Sequence, residues 1–133
     1  MDKIPTGTWV VVADGGGARL FTNIGTEREI SLRQDELIHQ QDLTESGGPG
    51  DMPNDLTKLP EIGEAAFARQ LAHTINDAAL KHRFEHIVLV ADPQTLGRMR
   101  PLLHKETSAR LVGELPKTLT NSPLPDIERA LLN

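Results

Sequence analysis

The chain has 133 residues, a net charge of −5 at pH 7 and no cysteine. This length fits one domain, and the missing cysteines exclude disulfide scaffolds, thiolate metal sites and cysteine nucleophiles. One tryptophan, three phenylalanines and no tyrosine disfavour a base-stacking surface for nucleic acid. No apolar run is long enough to cross a membrane, and the N-terminus lacks a signal-peptide pattern, so we expect a cytoplasmic protein of bacterial type.

The first half of the chain predicts antiparallel strands. Residues 8–13 form a β-branched run that is typical of a strand buried on both faces. A glycine-rich turn and an alternating segment over residues 18–24 complete a predicted hairpin. Weaker segments near Glu29–Arg33 and Leu37–Gln41 extend the edge of the predicted sheet. Residues 42–60 are rich in turn formers and predict a long flexible loop.

The second half predicts helices alternating with strands. Residues 63–82 carry an apolar stripe at helical spacing, formed by Phe67, Leu71, Ile75, Ala78 and Ala79. Further strands are predicted over residues 85–91 and 108–115. Asp92-Pro93 and Ser122-Pro123 each combine a capping residue with a proline and so begin predicted helices. The order predicts parallel crossovers and a single α/β domain over residues 1–133, a mixed sheet with helices packed on it.

The glycine turn is the first candidate site. It reads Asp14-Gly15-Gly16-Gly17-Ala18-Arg19. Backbone amides in such a turn can hold an anion, and Arg19 adds a fork of donors. A strand follows the turn instead of a helix, so it fits neither a P-loop nor a dinucleotide fingerprint. A tight hairpin turn is the favoured interpretation, with anion binding as the alternative.

Asp14 and Asp92 form a second candidate because each follows a buried strand. If the two strands are parallel neighbours, the carboxylates converge at one edge of the sheet, where Glu114 is able to join them. Carboxylates so placed can hold a divalent metal, as in two-metal nucleases. The favoured interpretation is structural: Asp92 caps a helix and Asp14 stabilises a turn.

Basic side chains form a third candidate. They are Arg98, Arg100, His104, Lys105 and Arg110, joined by Lys81, His82 and Arg83. Such a group is either a phosphate-binding patch or an ordinary solvated helix face.

The histidines match no metal-ligand spacing, and no serine lies in a Gly-x-Ser-x-Gly elbow. The residues therefore predict no catalytic residue, no metal and no cofactor.

Several motifs, taken in order, resemble one known family over nearly the whole chain. They are the run from Trp9 to Phe21, the helix segment from Phe67 to Ala72, the strand and helix from Ile87 to Arg100, and the ending Glu114-Leu-Pro-Lys-Thr-Leu-Thr120. This order resembles the bacterial host attachment protein family. That family is similar in fold to the middle domain of archaeal and eukaryotic peptide-chain release factors and of Pelota-like rescue factors.

The resemblance implies a non-catalytic binding module that acts at the ribosome, on RNA or on a protein partner. The residues expected to bind are Asp14, Gly15, Gly16, Gly17, Arg19, Asp92, Arg98 and Arg100. The chain lacks the Gly-Gly-Gln tripeptide of release factors, since Gly17 precedes Ala18 and Gly48 precedes Pro49. Two alternatives are a metal-dependent nuclease or phosphoesterase using Asp14 and Asp92, and a cytosolic regulator that affects host attachment indirectly. The oligomeric state is left open.

Overall fold

The computed structural model describes residues 3–39 and 60–132. These residues form a five-stranded sheet with helices against it. The strands are β1 (Trp9–Ala13), β2 (Gly17–Asn23), β3 (Leu32–His39), β4 (Ile87–Ala91) and β5 (Leu111–Leu115). The helices are α1 (Pro60–Leu80), α2 (Pro93–Met99), α3 (Lys105–Arg110) and α4 (Leu124–Leu132), with a 3₁₀ turn over Arg100–Leu102.

The sheet is mixed, as the sequence predicted. Its strand order is β3-β2-β1-β4-β5. The first three strands pair antiparallel, whereas β4 lies parallel to both β1 and β5. The predicted α/β class, with an antiparallel first half and parallel crossovers in the second, is confirmed.

Each face of the sheet carries its own hydrophobic core. On one face, Val11 and Ala13 of β1 pack with the apolar stripe of α1 and with Leu96 of α2. On the other, Val10 and Val12 pack with α4. All four of these β1 side chains are buried, so the prediction of a strand buried on both faces is confirmed. The result is a three-layer arrangement in which the central strands are shielded from water on both sides.

The edge strand β3 differs from its prediction. A single strand over Leu32–His39 replaces the two weak segments, and residues 40–41 lie outside the described part of the chain. Its middle, Gln34-Asp35-Glu36, is exposed. A polar middle is compatible with an edge position, because side chains there remain in water and charges discourage further strand pairing.

The predicted strand over residues 108–115 is wrong in its first three residues. Residues up to Arg110 belong to α3, and β5 begins at Leu111. His104 caps α3, since its Nδ1 accepts from the Glu106 amide at 3.0 Å. Asn76 of α1 also binds this segment, accepting from the His104 amide at 2.9 Å and from the Thr107 hydroxyl at 2.7 Å. The helix therefore depends on a contact that is distant in sequence.

Helix boundaries also shift slightly. Helix α1 begins at Pro60, earlier than predicted, so the last residue of the predicted 42–60 loop is helical. The rest of that predicted loop lies outside the described residues. Helix α4 begins at Leu124, one residue after the proline that was expected to open it; the Pro123 carbonyl accepts from the Asp126 and Ile127 amides instead.

Candidate functional site

Asp14 and Asp92 lie at the same edge of the sheet. Strands β1 and β4 are parallel neighbours with Ala13 opposite Ala91, and each aspartate is the next residue. Both line one open depression of about 430 Å³ together with Gly15, Gly16, Glu64, Gln94 and Thr118. We call this region, defined by Asp14, Glu64 and Asp92, the acidic edge.

Both oxygens of the Asp14 carboxylate accept hydrogen bonds from the same chain. Its Oδ1 accepts from the Gly16 amide at 2.7 Å and from the Gly17 amide at 2.9 Å. Its Oδ2 accepts from the Thr120 hydroxyl at 2.6 Å. The Gly16 and Gly17 amides therefore bind Asp14 itself, and the turn has the hairpin structure that was the favoured prediction.

Asp92 caps helix α2. Its Oδ2 accepts from the Thr95 amide at 3.1 Å, and Pro93 takes the first helical position. Its Oδ1 is buried and has no hydrogen-bond partner within residues 3–39 and 60–132. In those same ranges, no group of three or more His, Asp or Glu side chains is arranged to hold a metal ion. Glu114, expected to join the two aspartates, pairs with Arg100 instead.

Glu64 of α1 joins the acidic edge, although the sequence analysis did not select it. Its Oε1 lies 3.5 Å from Nη1 of Arg98, which is half-buried at the end of α2. Its side chain also lies against Gly15, where a Cβ would come within 2.5 Å of the Glu64 Cδ. The available signal was an acidic residue near a helix N-terminus, which the helix dipole favours.

Arg19 serves as a clamp between two segments. Its Nη1 donates to the carbonyls of Thr120 at 3.1 Å and Ser122 at 2.8 Å. Its Nε donates to Gln34 at 3.0 Å, and its guanidinium lies 5.0 Å from the Phe21 ring centre. These contacts fix the segment before α4 against β2, so most of its donors act within the chain.

Arg100 does not line the depression at the acidic edge. It contacts Glu114 on the edge strand β5, with 2.8 Å between Nη2 and Oε1. The hydrogen bond and the negative charge of Glu114 raise the pKa of Arg100. The structure thus brings Asp14, the three glycines and Asp92 together, with Arg19 and Arg98 beside them, and separates Arg100 from the group.

A sequence model of one family matches residues 7–131, which covers all five strands and all but the last residue of α4. This chain belongs to bacterial archaeo-eukaryotic release factor family 12. No individually curated protein matches it. The match confirms the release-factor relation that the sequence predicted, while the host-attachment relation stays a prediction.

The family 12 chain has a second polar depression at the opposite end of the sheet. It measures about 410 Å³ and is lined by Thr6, Gly7, His82, Arg83, Phe84, Glu85 and His86. We call this region, defined by His82, Arg83 and His86, the histidine edge. His82 and Arg83 were predicted to form one basic patch with Arg98 and Arg100. In the structure, His82 and Arg83 line the histidine edge, whereas Arg98 and Arg100 pair with Glu64 and Glu114.

The helices of this family 12 member are short or amphipathic. In the described ranges, none is both long and apolar enough to cross a membrane. The longest helix among the described residues, α1, alternates its buried stripe with exposed polar residues such as Arg69, Gln70 and His73.

Proposed function

We propose that this family 12 chain is a non-catalytic binding module that acts at the ribosome or on RNA. The observation that carries the proposal is the match to a release-factor family from residue 7 to residue 131. A match of that extent includes the sheet, both cores and the acidic edge, so the kinship concerns the whole fold. Binding at the ribosome implies a location in the cytoplasm.

The contacts of the acidic edge support a role without catalysis. Asp14 holds the glycine turn and Asp92 caps α2, so each carboxylate has a structural task. The turn continues from Gly17 to Ala18 and lacks the Gly-Gly-Gln tripeptide of release factors. The proposal therefore takes binding, and not peptidyl-tRNA hydrolysis, as the property shared with release factors.

The test is co-sedimentation of the tagged full chain with purified ribosomal subunits over a salt series. We expect association at low salt that weakens steadily as salt rises, because phosphate contacts release condensed counterions. No association with either subunit at any salt would contradict the proposal.

A pair of variants tests whether Arg98 and Arg100 provide the contact. Arg98→Gln combined with Arg100→Gln removes two charges that each face a carboxylate. Arg33→Gln combined with Arg129→Gln is a matched control, since those arginines face Asp35 and Asp126. If Arg98 and Arg100 contact the ribosome, only the first pair releases the protein at lower salt. Equal behaviour of both pairs places the contact elsewhere on the module.

A further inference from the structure

His82 has a backbone conformation that is costly for its residue type. Its φ is +57°, and no other non-glycine residue in the described ranges has a positive φ. It ends α1 in a Schellman motif: the His82 amide donates to the Ala79 carbonyl and the Arg83 amide to the Ala78 carbonyl. Glycine is the usual residue at this position because it has no Cβ to strain. A histidine there calls for an account of what its side chain does.

Arg110 orients the His82 ring. Its Nη2 lies 3.1 Å from the His82 Nδ1. A guanidinium carries donors and no acceptor, so in this hydrogen bond Nδ1 must accept. In this arrangement the Nε2 carries the ring N–H, which is then free to donate on the side of the ring away from Arg110.

The surroundings hold this pair rigidly. Arg110 also donates to the Phe84 carbonyl at 2.8 Å, and the Phe84 ring packs on Trp9 with 4.9 Å between ring centres. The backbone of His86 is fixed as well, since its carbonyl accepts from the Trp9 amide at 3.0 Å. The His82 ring and the backbone at His86 are therefore held in place before a ligand binds, which lowers the entropic cost of ordering them.

One exposed cation, Arg83, is the charge at the histidine edge that attracts an anion. Arg83 is exposed and has no ion pair within residues 3–39 and 60–132, unlike Arg98 and Arg100. Lys81 nearby is paired with Asp77 at 3.0 Å, and Arg110 is paired with Glu106 at 3.8 Å. Glu85 is the one acidic residue in the lining. The carboxylates of Asp14, Glu64 and Asp92 lie at the other end of the sheet. A polyanion thus meets less repulsion at the histidine edge than at the acidic edge.

We propose that the histidine edge binds a phosphodiester group of RNA through the His82 Nε2–H, the Arg83 guanidinium and the His86 imidazole. The inference rests on the proposed function for the choice of RNA as the anion. The depression is open and its cation is exposed, which suits a phosphate carried on a polymer. Phosphate oxygens accept hydrogen bonds from arginine and other polar side chains, with histidine able to donate in the same way.

The test measures binding of a short fluorescein-labelled oligouridine to the full chain by fluorescence anisotropy over a salt series. We expect Arg83→Gln to weaken binding by about tenfold at low salt and to reduce the salt slope by about 0.7. Arg69→Gln, a matched loss of one exposed arginine without an ion pair in the described ranges, should change affinity by less than about twofold. Equal losses for the two variants would overturn the proposal.

His82→Gly separates binding from folding. Glycine removes the strain at this position, so we expect the variant to be more stable and yet to bind the oligouridine more weakly, by about three- to tenfold. His86→Gln should weaken binding without unfolding the chain, because the residue is only half-buried. Full affinity in both variants would remove the histidines from the proposed site.

Two further measurements, phosphate competition and co-sedimentation with ribosomal subunits, distinguish this inference from the proposed function. Inorganic phosphate should compete only weakly with the oligouridine, and binding of inorganic phosphate without RNA binding would contradict the phosphodiester assignment. If wild type and Arg83→Gln sediment equally with ribosomal subunits, the proposed function stands and this site fails. If the oligouridine binds through Arg83 while no ribosomal subunit is bound, the ribosomal part of the proposed function fails and this site stands.

Discussion

The two oxygens of Asp92 have different surroundings. Oδ2 caps α2, whereas Oδ1 is buried without a hydrogen-bond partner among the described residues. Asparagine caps helices about as well as aspartate, while alanine cannot cap. The helix therefore needs an oxygen acceptor at this position and does not need a charge.

We expect Asp92→Ala to lower the free energy of unfolding by about 1 kcal/mol. Asp92→Asn should leave it nearly unchanged, because the amide oxygen can still accept from the Thr95 amide. Urea titration followed by circular dichroism measures both. If Asp92→Asn destabilised the chain as much as Asp92→Ala, the charge itself would matter and the capping account would be incomplete.

His82, in contrast to Asp92, has a backbone conformation that its residue type disfavours. We expect His82→Gly to raise the free energy of unfolding by about 0.5–1 kcal/mol, because the αL position no longer strains a Cβ. Loss of the contact with Arg110 offsets part of this gain. Thermal melting of the two proteins measures the difference, with His73→Gly in the middle of α1 as a control that should destabilise. A lower melting temperature for His82→Gly would show that the Arg110 contact outweighs the strain.

At the scale of elements, polar side chains connect segments that the sheet alone leaves apart. Arg19 joins the segment before α4 to β2. Buried Asn23 joins the first residues to the loop after β2: its Nδ2 donates to the Ile4 carbonyl, and its Oδ1 accepts from the Gly25 and Ser31 amides. Neither residue was predicted to hold segments together, because its hydrogen-bond partners come close only when the chain folds.

Arg19→Lys tests the clamp. Lysine keeps the charge but loses the planar fork that reaches Gln34, Thr120 and Ser122 together. We expect a loss of about 1–2 kcal/mol in the free energy of unfolding, since two carbonyls lose their donor. Arg33→Lys, at an exposed ion pair with Asp35, should change it by less than about 0.5 kcal/mol. Equal effects of the two substitutions, measured by urea titration, would contradict a clamping role.

At the scale of the whole molecule, one sheet joins two cores. Because β1 and β4 bury side chains on both faces, neither core can unfold without exposing the other to water. Small single domains of this kind unfold in one cooperative step. The ends of the same sheet differ in chemistry, with carboxylates at the acidic edge and donors at the histidine edge.

Substitutions in the two cores should therefore lower the same transition. We expect Leu71→Ala and Ile127→Ala each to cost about 2–5 kcal/mol, as both side chains are fully buried. Trp9 fluorescence and circular dichroism should give coincident urea curves in each variant. Leu102→Ala, at an exposed position, should have little effect. Curves that separate in Ile127→Ala would show that α4 unfolds independently of α1.

The sequence by itself determined the α/β class and most of the strands and helices, but it missed α3 and divided β3 into two weak segments. Those features follow from local patterns: the β-branched run of β1, the period of α1 and the cap at Asp92. The wrong prediction at residues 108–110 has a tertiary cause, since α3 is held by Asn76 of another helix.

Only the tertiary structure decided what each charged side chain does. Asp14 and Thr120 are 106 residues apart, and Arg19 and Ser122 are 103 residues apart. Hydrogen bonds between such residues produce no periodic pattern in the sequence, because their geometry depends on how strands and loops meet at the ends of the sheet. The same reason explains why Arg98 and Arg100, close in sequence, pair with carboxylates of different elements, and why the donors of the histidine edge come together at the opposite end.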